Sequence, residues 1–394
     1  ARRIWGLALY FLALTFWIGS EVVGPARLVD IIIFSMVLFW MLGFIIKGKH
    51  FKKIHIYSFI LFFVLMLLGA FVNVSSGYYV TNIGFFLFLK ITVYFLFTLI
   101  AKRIMLGMDQ GVIRRLFIVY LISYIALSGW AFFYIFFYDF FFVGWHQRPS
   151  FPFIKGAHFS DAHLFGSYLA ISFFFFIFST KYFLKMKSFS FFMGVIGVIG
   201  TIGLISTGSR SALFSVAFGG ALLVLSLLHH SSRYNLKLFI TGVISVISVI
   251  LIFPESLYPY FDRAISFNLD GASEGRRLSS LLHAINYSGE WFYLMGSSLL
   301  FAKQAYFDGT VTFLIYNFGI VPAFGFVCAL VFFSIRFLIK RKISDLVMAV
   351  SLFGLIASEY FLVGRWFVPI FSYYIITTYI ERFKLVRAAV FWQK

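Results

Sequence analysis

Charged side chains are sparse in this chain, and those able to do chemistry gather in three polar stretches set between long apolar runs. The most compact is Thr207-Gly208-Ser209-Arg210-Ser211-Ala212. The longest, residues 254–310, carries Arg276-Arg277 and closes on Tyr306-Phe307-Asp308-Gly309-Thr310. The third, residues 139–161, holds Arg148, Lys155 and His158, with His163 just beyond it. A guanidinium group stays charged and offers a planar fork to phosphate oxygens, so arginines in such segments point to the handling of an anion.

In the 207–212 turn, Gly208 suits a tight reversal, and Ser209 and Ser211 are residues of the kind that cap helices. Arg210 is thereby expected at a helix N-terminus, where backbone N–H groups already favour an anion. An arginine snorkelling at a membrane interface is the plainer reading of the same residue. In the long stretch, a 100° wheel started at Arg276 puts Ser280, His283 and Tyr287 within about 40° of it, opposite Leu278, Leu281, Leu282 and Ile285. The segment Glu274–Tyr287 is therefore expected to be an amphipathic helix on the bundle or the interface, with Arg277 at the border of its faces. A solvated surface helix would show the same pattern.

The histidines of the third stretch raise the question of a metal. His158 and His163 are five apart, not the i, i+4 pair that puts two imidazoles on one helical face, and no Cys or Glu completes a ligand set. No metal is expected there. Arg148, Lys155, His158 and His163 instead suit a sugar- or phosphate-facing surface, or an ordinary solvated loop. Lys90, inside an apolar run, either snorkels to headgroups or contributes to an outward-facing anionic site.

The elements that must position these residues follow from composition. The chain of 394 residues is 62% hydrophobic and 12% charged, whereas a soluble domain carries about a quarter charged residues. The expected fold class is all-α: a single integral-membrane domain over residues 1–394, with about twelve transmembrane helices of the ~20-residue spanning length. They are placed at Ile4–Ser20, Val29–Ile46, Ile54–Val72, Ile83–Ala101, Leu116–Tyr138, Ala162–Thr180, Phe189–Ile205, Ser211–Leu228, Leu236–Phe253, Val311–Ile339, Leu346–Phe361 and Trp366–Ile380. Ile4–Ser20 reads as a first span rather than a signal peptide, because no small-residue cleavage site follows it.

Charge sets the orientation. The basic loops Lys47–Lys53, Lys102–Arg115, Lys181–Lys187, Arg233–Lys237 and Arg336–Lys342 all fall on the side of Arg2-Arg3 and Arg382–Lys394. The positive-inside rule makes that side cytoplasmic and leaves 139–161 and 254–310 as outer loops. The net charge of +19 is then matched by an anionic inner leaflet, and no nucleic acid partner is called for. Cys328, the one cysteine, cannot form an internal disulfide. The 58 phenylalanines are packing and lipid-facing bulk, not a cofactor box. No fixed-period repeat, low-complexity linker or second soluble domain is visible.

A TGSRSA turn between adjacent spans, a large outer loop with an Arg-led amphipathic helix, a glycine at Gly296, and a polar residue opening a span that continues Tyr316-Asn317-Phe318-Gly319 together resemble the O-antigen ligase/polymerase (Wzy/WaaL) superfamily. The match covers mainly Thr201–Val327, through short and degenerate motifs. The resemblance implies a C-type glycosyltransferase-like membrane enzyme in the bacterial inner membrane, both termini cytoplasmic and the site periplasmic. It implies an undecaprenyl-diphosphate-linked oligosaccharide as donor, membrane lipids as surroundings, and neither cofactor nor obligatory metal. A chain-length regulator is the protein partner compatible with it. The family's turn arginine corresponds to Arg210 and its loop arginine to Arg276 or Arg277. Ligases of the superfamily usually have a histidine where this chain has Asp308, which favours the polymerase branch over the ligase.

The chemistry is consistent on its own terms. Breaking an anomeric C–O bond to a lipid diphosphate leaves negative charge on the departing group, which fixed guanidinium groups stabilise. Arg210 with Arg276 or Arg277 fill that role. The attacking hydroxyl needs a proton acceptor, for which Asp308 is the first choice and His283 the second. Arg148, Lys155, His158 and His163 would line a glycan groove. A lipid-linked oligosaccharide transporter is the alternative of a different class; such proteins tend to carry internal repeats and broken spans.

Overall fold

The computed structural model describes residues 21–23, 26–46, 110–141, 165–174, 176, 197–229 and 310–339, with 64, 85, 89–90, 92–93, 96–97, 149, 247, 251, 279, 281–282, 285, 346 and 350. One short antiparallel pair opens this set: β1 (Glu21–Val23) and β2 (Ala26–Arg27), with Val23 opposite Ala26 and Glu21 opposite Arg27. An all-helical reading did not anticipate it. Gly24-Pro25, between the two strands, is a turn dipeptide that supports such a reversal.

Every longer element among the described residues is a helix. We label them α1 (Leu28–Ile46), α2 (Gln110–Phe141), α3 (Phe165–Phe174), α4 (Gly197–Ser206), α5 (Arg210–His229), α6 (Thr310–Phe318) and α7 (Ile320–Ile339). Helices α1 and α5 agree in their bounds with two of the expected helices to within a residue at each end. In α2 the helix runs past its apolar core on both sides and takes in Arg114 and Arg115. Among the described residues two helices, Arg114–Tyr134 within α2 and Ile320–Ile339, are long and apolar enough to cross a membrane.

The expected single span Val311–Ile339 is corrected by the structure. It breaks at Gly319, whose φ of 92° is open to glycine and costly for other residues. The Gly319 N–H closes α6 on the Ile315 carbonyl at 2.9 Å, and the Gly319 carbonyl accepts the Ala323 N–H at 3.3 Å to open α7. The apolar sequence runs without interruption through this point, which is why hydropathy alone reads one helix.

The packed centre is α3. Every residue from Phe165 to Ser172 is buried, as befits a segment that is apolar or small all round. Its continuation at Phe176 places a ring against Phe117, Tyr120 and Tyr124 of α2, with centroids 4.9 to 5.8 Å away. Helix α4 reaches α2 through glycines spaced by three: a methyl group at Gly203 would stand 2.9 Å from the Ser128 Cα, and one at Gly200 would overlap the Tyr124 hydroxyl. Small residues at such positions let helix backbones approach closely. Lys90 lies at a helical position and is half-buried.

Candidate functional site

The turn between α4 and α5 is built from its own hydroxyl groups. Ser206 returns its hydroxyl to the Ile202 carbonyl at 2.8 Å, and Thr207 donates to the Leu204 carbonyl at 2.7 Å. The Thr207 hydroxyl in turn accepts the Ser209 N–H at 3.3 Å. Between them Gly208 takes a φ of 56°, and its N–H meets the Ile205 carbonyl at 2.9 Å. These bonds satisfy backbone groups that a helix end would otherwise leave unpaired.

Ser209 caps α5, as the sequence predicts. Its carbonyl accepts the Leu213 N–H at 3.1 Å, the first bond of the helix, and its hydroxyl lies 3.3 Å from that of Ser211. Arg210 is therefore the first residue of α5, and it is half-buried while Thr207, Gly208, Ser209 and Ser211 are buried. The first turn of α5 contains no acidic residue. The partial positive charge at this helix end is thus not offset from within the turn, and the Arg210 guanidinium adds to it.

One contact was not legible in the motif. Gly166, near the start of α3, lies against this turn so tightly that an added methyl group would meet the Ser209 Cβ at 2.6 Å and the Thr207 hydroxyl at 2.7 Å. The chain leaving the 139–161 loop passes through Asp161 and His163 into this same helix. Two segments separated by forty residues of sequence therefore meet at the Arg210 turn. A local pattern search cannot find such a contact, although the unbroken run of small and apolar residues around Gly166 hints at close packing.

Of the residues singled out from the sequence, Arg210 is where it was expected. Arg148, Lys155, His158, His163, Arg276, Arg277, His283 and Asp308 lie outside the described residues. Of the expected Glu274–Tyr287 helix, Ser279, Leu281, Leu282 and Ile285 are described and all are helical. Leu281 and Ile285 are half-buried and Ser279 exposed, as an amphipathic stripe demands. Leu282 is 49% exposed, contrary to its place on the apolar side.

The described architecture is that of a helical chain with two helices long and apolar enough to cross a membrane, and a capped, arginine-led helix start held against a neighbouring helix. The chain matches no protein-family model, no curated protein and no solved structure.

Proposed function

We propose that this protein is an O-antigen polymerase of the inner membrane, transferring an undecaprenyl-diphosphate-linked glycan onto a second lipid-linked repeat unit at the periplasmic face. A twelve-span, C-type glycosyltransferase-like topology with cytoplasmic termini is part of the proposal, and the distribution of basic loops supports it. The single observation that carries the reading is Arg210 opening α5 on a buried, hydroxyl-bonded turn with no acid in the first helical turn. Such a helix start suits the diphosphate of a lipid-linked donor.

In this reaction the anomeric C–O bond to the diphosphate breaks and a glycosidic bond to the acceptor oxygen forms. Arg210, with Arg276 or Arg277, stabilises the charge that builds on the departing diphosphate. The acceptor hydroxyl proton passes to Asp308, or to His283. Direct displacement inverts the anomeric centre. Arg148, Lys155, His158 and His163 face the glycan, and no metal or cofactor takes part.

The test is complementation of a strain lacking this gene with wild type or Arg210→Ala, read as the lipopolysaccharide ladder. Loss of long chains with one repeat unit kept on the core supports a polymerase. Complete loss of attached glycan would assign the ligase instead, and an intact ladder in the Arg210→Ala strain would sink the site.

One observation favours a second reading, a transporter of the lipid-linked oligosaccharide. The break at Gly319 divides an apolar stretch into two helices, as the discontinuous spans of transporters do. Elongation of a lipid-linked repeat unit by the purified protein in detergent would exclude it.

A further inference from the structure

The break at Gly319 joins two helices with unlike surroundings. Helix α6 is enclosed: Thr312 through Asn317 are all buried. Its last turn is closed by the Gly319 N–H on the Ile315 carbonyl and by the Asn317 side-chain amide, which donates to the Phe313 carbonyl, each at 2.9 Å. The rings of Phe313 and Phe318, edge to face at 6.3 Å, brace the same turn. Helix α7 is as regular within itself, running unbroken over Ile320–Ile339, yet Ala323 alone of its residues is buried.

The local backbone does not commit these two rods to one angle. Glycine takes positive and negative φ about equally readily, so Gly319 can leave its φ of 92° for an ordinary helical value at little cost. Its two bonds, to Ile315 and Ala323, are of the i to i+4 kind and survive that change. Pro322 works against a continuous helix, because it has no N–H and leaves the Phe318 carbonyl without its helical donor. Packing holds α7 only weakly as well. Val321, Phe324, Phe332 and Leu338 stand exposed, and the hydroxyl of half-buried Ser334 is spent on its own helix, at the Leu330 carbonyl 2.8 Å away. In a bilayer, lipid tails are as apolar as leucine, so no hydrophobic force ties such a helix to its neighbours.

We propose that Gly319 is a hinge, about which α7 swings as a rod between the bent form and a straighter one in which Gly319 takes a helical φ. Helix α6 keeps its place throughout, because its side chains are buried and its last turn is closed by bonds of its own. The hinge is independent of the reaction assigned to the Arg210 turn. It lets an apolar helix shift against lipid while Thr310–Phe318 stays fixed.

Electron–electron double resonance on the full-length protein in nanodiscs tests this. Cys328 is the one cysteine of the chain and is exposed on α7, so it takes a spin label directly. The second label goes on α2 through Ile122→Cys, at an exposed position. Two distances are expected for this pair. A single distance is expected for a control pair, Ile122→Cys with Phe218→Cys on α5, in a Cys328→Ser background. Gly319→Ala penalises the positive φ and should cut the share of the bent form about tenfold. Pro322→Ala gives the Phe318 carbonyl a donor in the straighter form, so it should move the populations the same way, and it keeps the test open if alanine at 319 prevents folding. A single distance between positions 122 and 328, populations indifferent to these substitutions, or an equal spread in the control pair overturns the hinge.

Discussion

Gly166 and Ser209 approach so closely that the hydrogen on the glycine Cα is all the space between the helices allows: a methyl group in its place would lie 2.6 Å from the Ser209 Cβ. This contact ties the start of α3 to the turn that presents Arg210. Gly166→Ala is expected to displace the turn, costing about 1–3 kcal/mol of stability as overpacking does. Under the proposed polymerase function it should also shorten the lipopolysaccharide ladder. The check is thermal unfolding of the purified protein beside the ladder of the complemented strain.

Gly208 makes a different demand on the same turn. Its φ of 56° lies in the left-handed region, which costs a residue with a Cβ about 1–2 kcal/mol. Gly208→Val should therefore destabilise the protein clearly, and Gly208→Asn less, because asparagine tolerates this conformation. A melting-temperature series of the two variants decides it; equal behaviour would mean that the turn has relaxed to another geometry.

At Arg210 the prediction concerns kind of charge. Arg210→Lys keeps the charge and loses the planar fork, so polymer length should fall between wild type and Arg210→Ala if a diphosphate is bound bidentately. In the purified system this reads as a raised KM for the lipid-linked donor. A lysine variant equal to wild type would leave only a point-charge role.

The glycines of α4 separate cleanly. A methyl group at Gly203 meets the Ser128 backbone at 2.9 Å, which no side-chain rotation relieves, whereas one at Gly197 meets nothing within 4 Å. Gly203→Ala should lower the melting temperature by an amount equivalent to about 1–3 kcal/mol. Gly197→Ala should be neutral. The pair is best measured together in the same detergent.

How much of this the sequence carried depends on range. The helices Leu28–Ile46 and Arg210–His229 were legible because each is a single apolar run of helical length bounded by polar residues. The capping role of Ser209 was legible because it depends on neighbours in sequence. The Gly166 contact was not, since it joins residues brought together only by packing. Nor was the break at Gly319, because a glycine that adopts a positive φ is spelled like one that does not.

The break at Gly319 also divides one apolar stretch between two environments. Before it, Thr312 through Asn317 are all buried; after it, Ala323 alone of α7 is buried, and Phe324, Phe332 and Leu338 stand open. Selection should therefore act on the two halves by different rules. Up to residue 318 side chains answer to shape, and exchanges of volume are penalised; from residue 320, Ala323 apart, they answer to oiliness, and leucine, phenylalanine and valine become interchangeable. A saturation-mutagenesis map of the region would show a step at a single glycine.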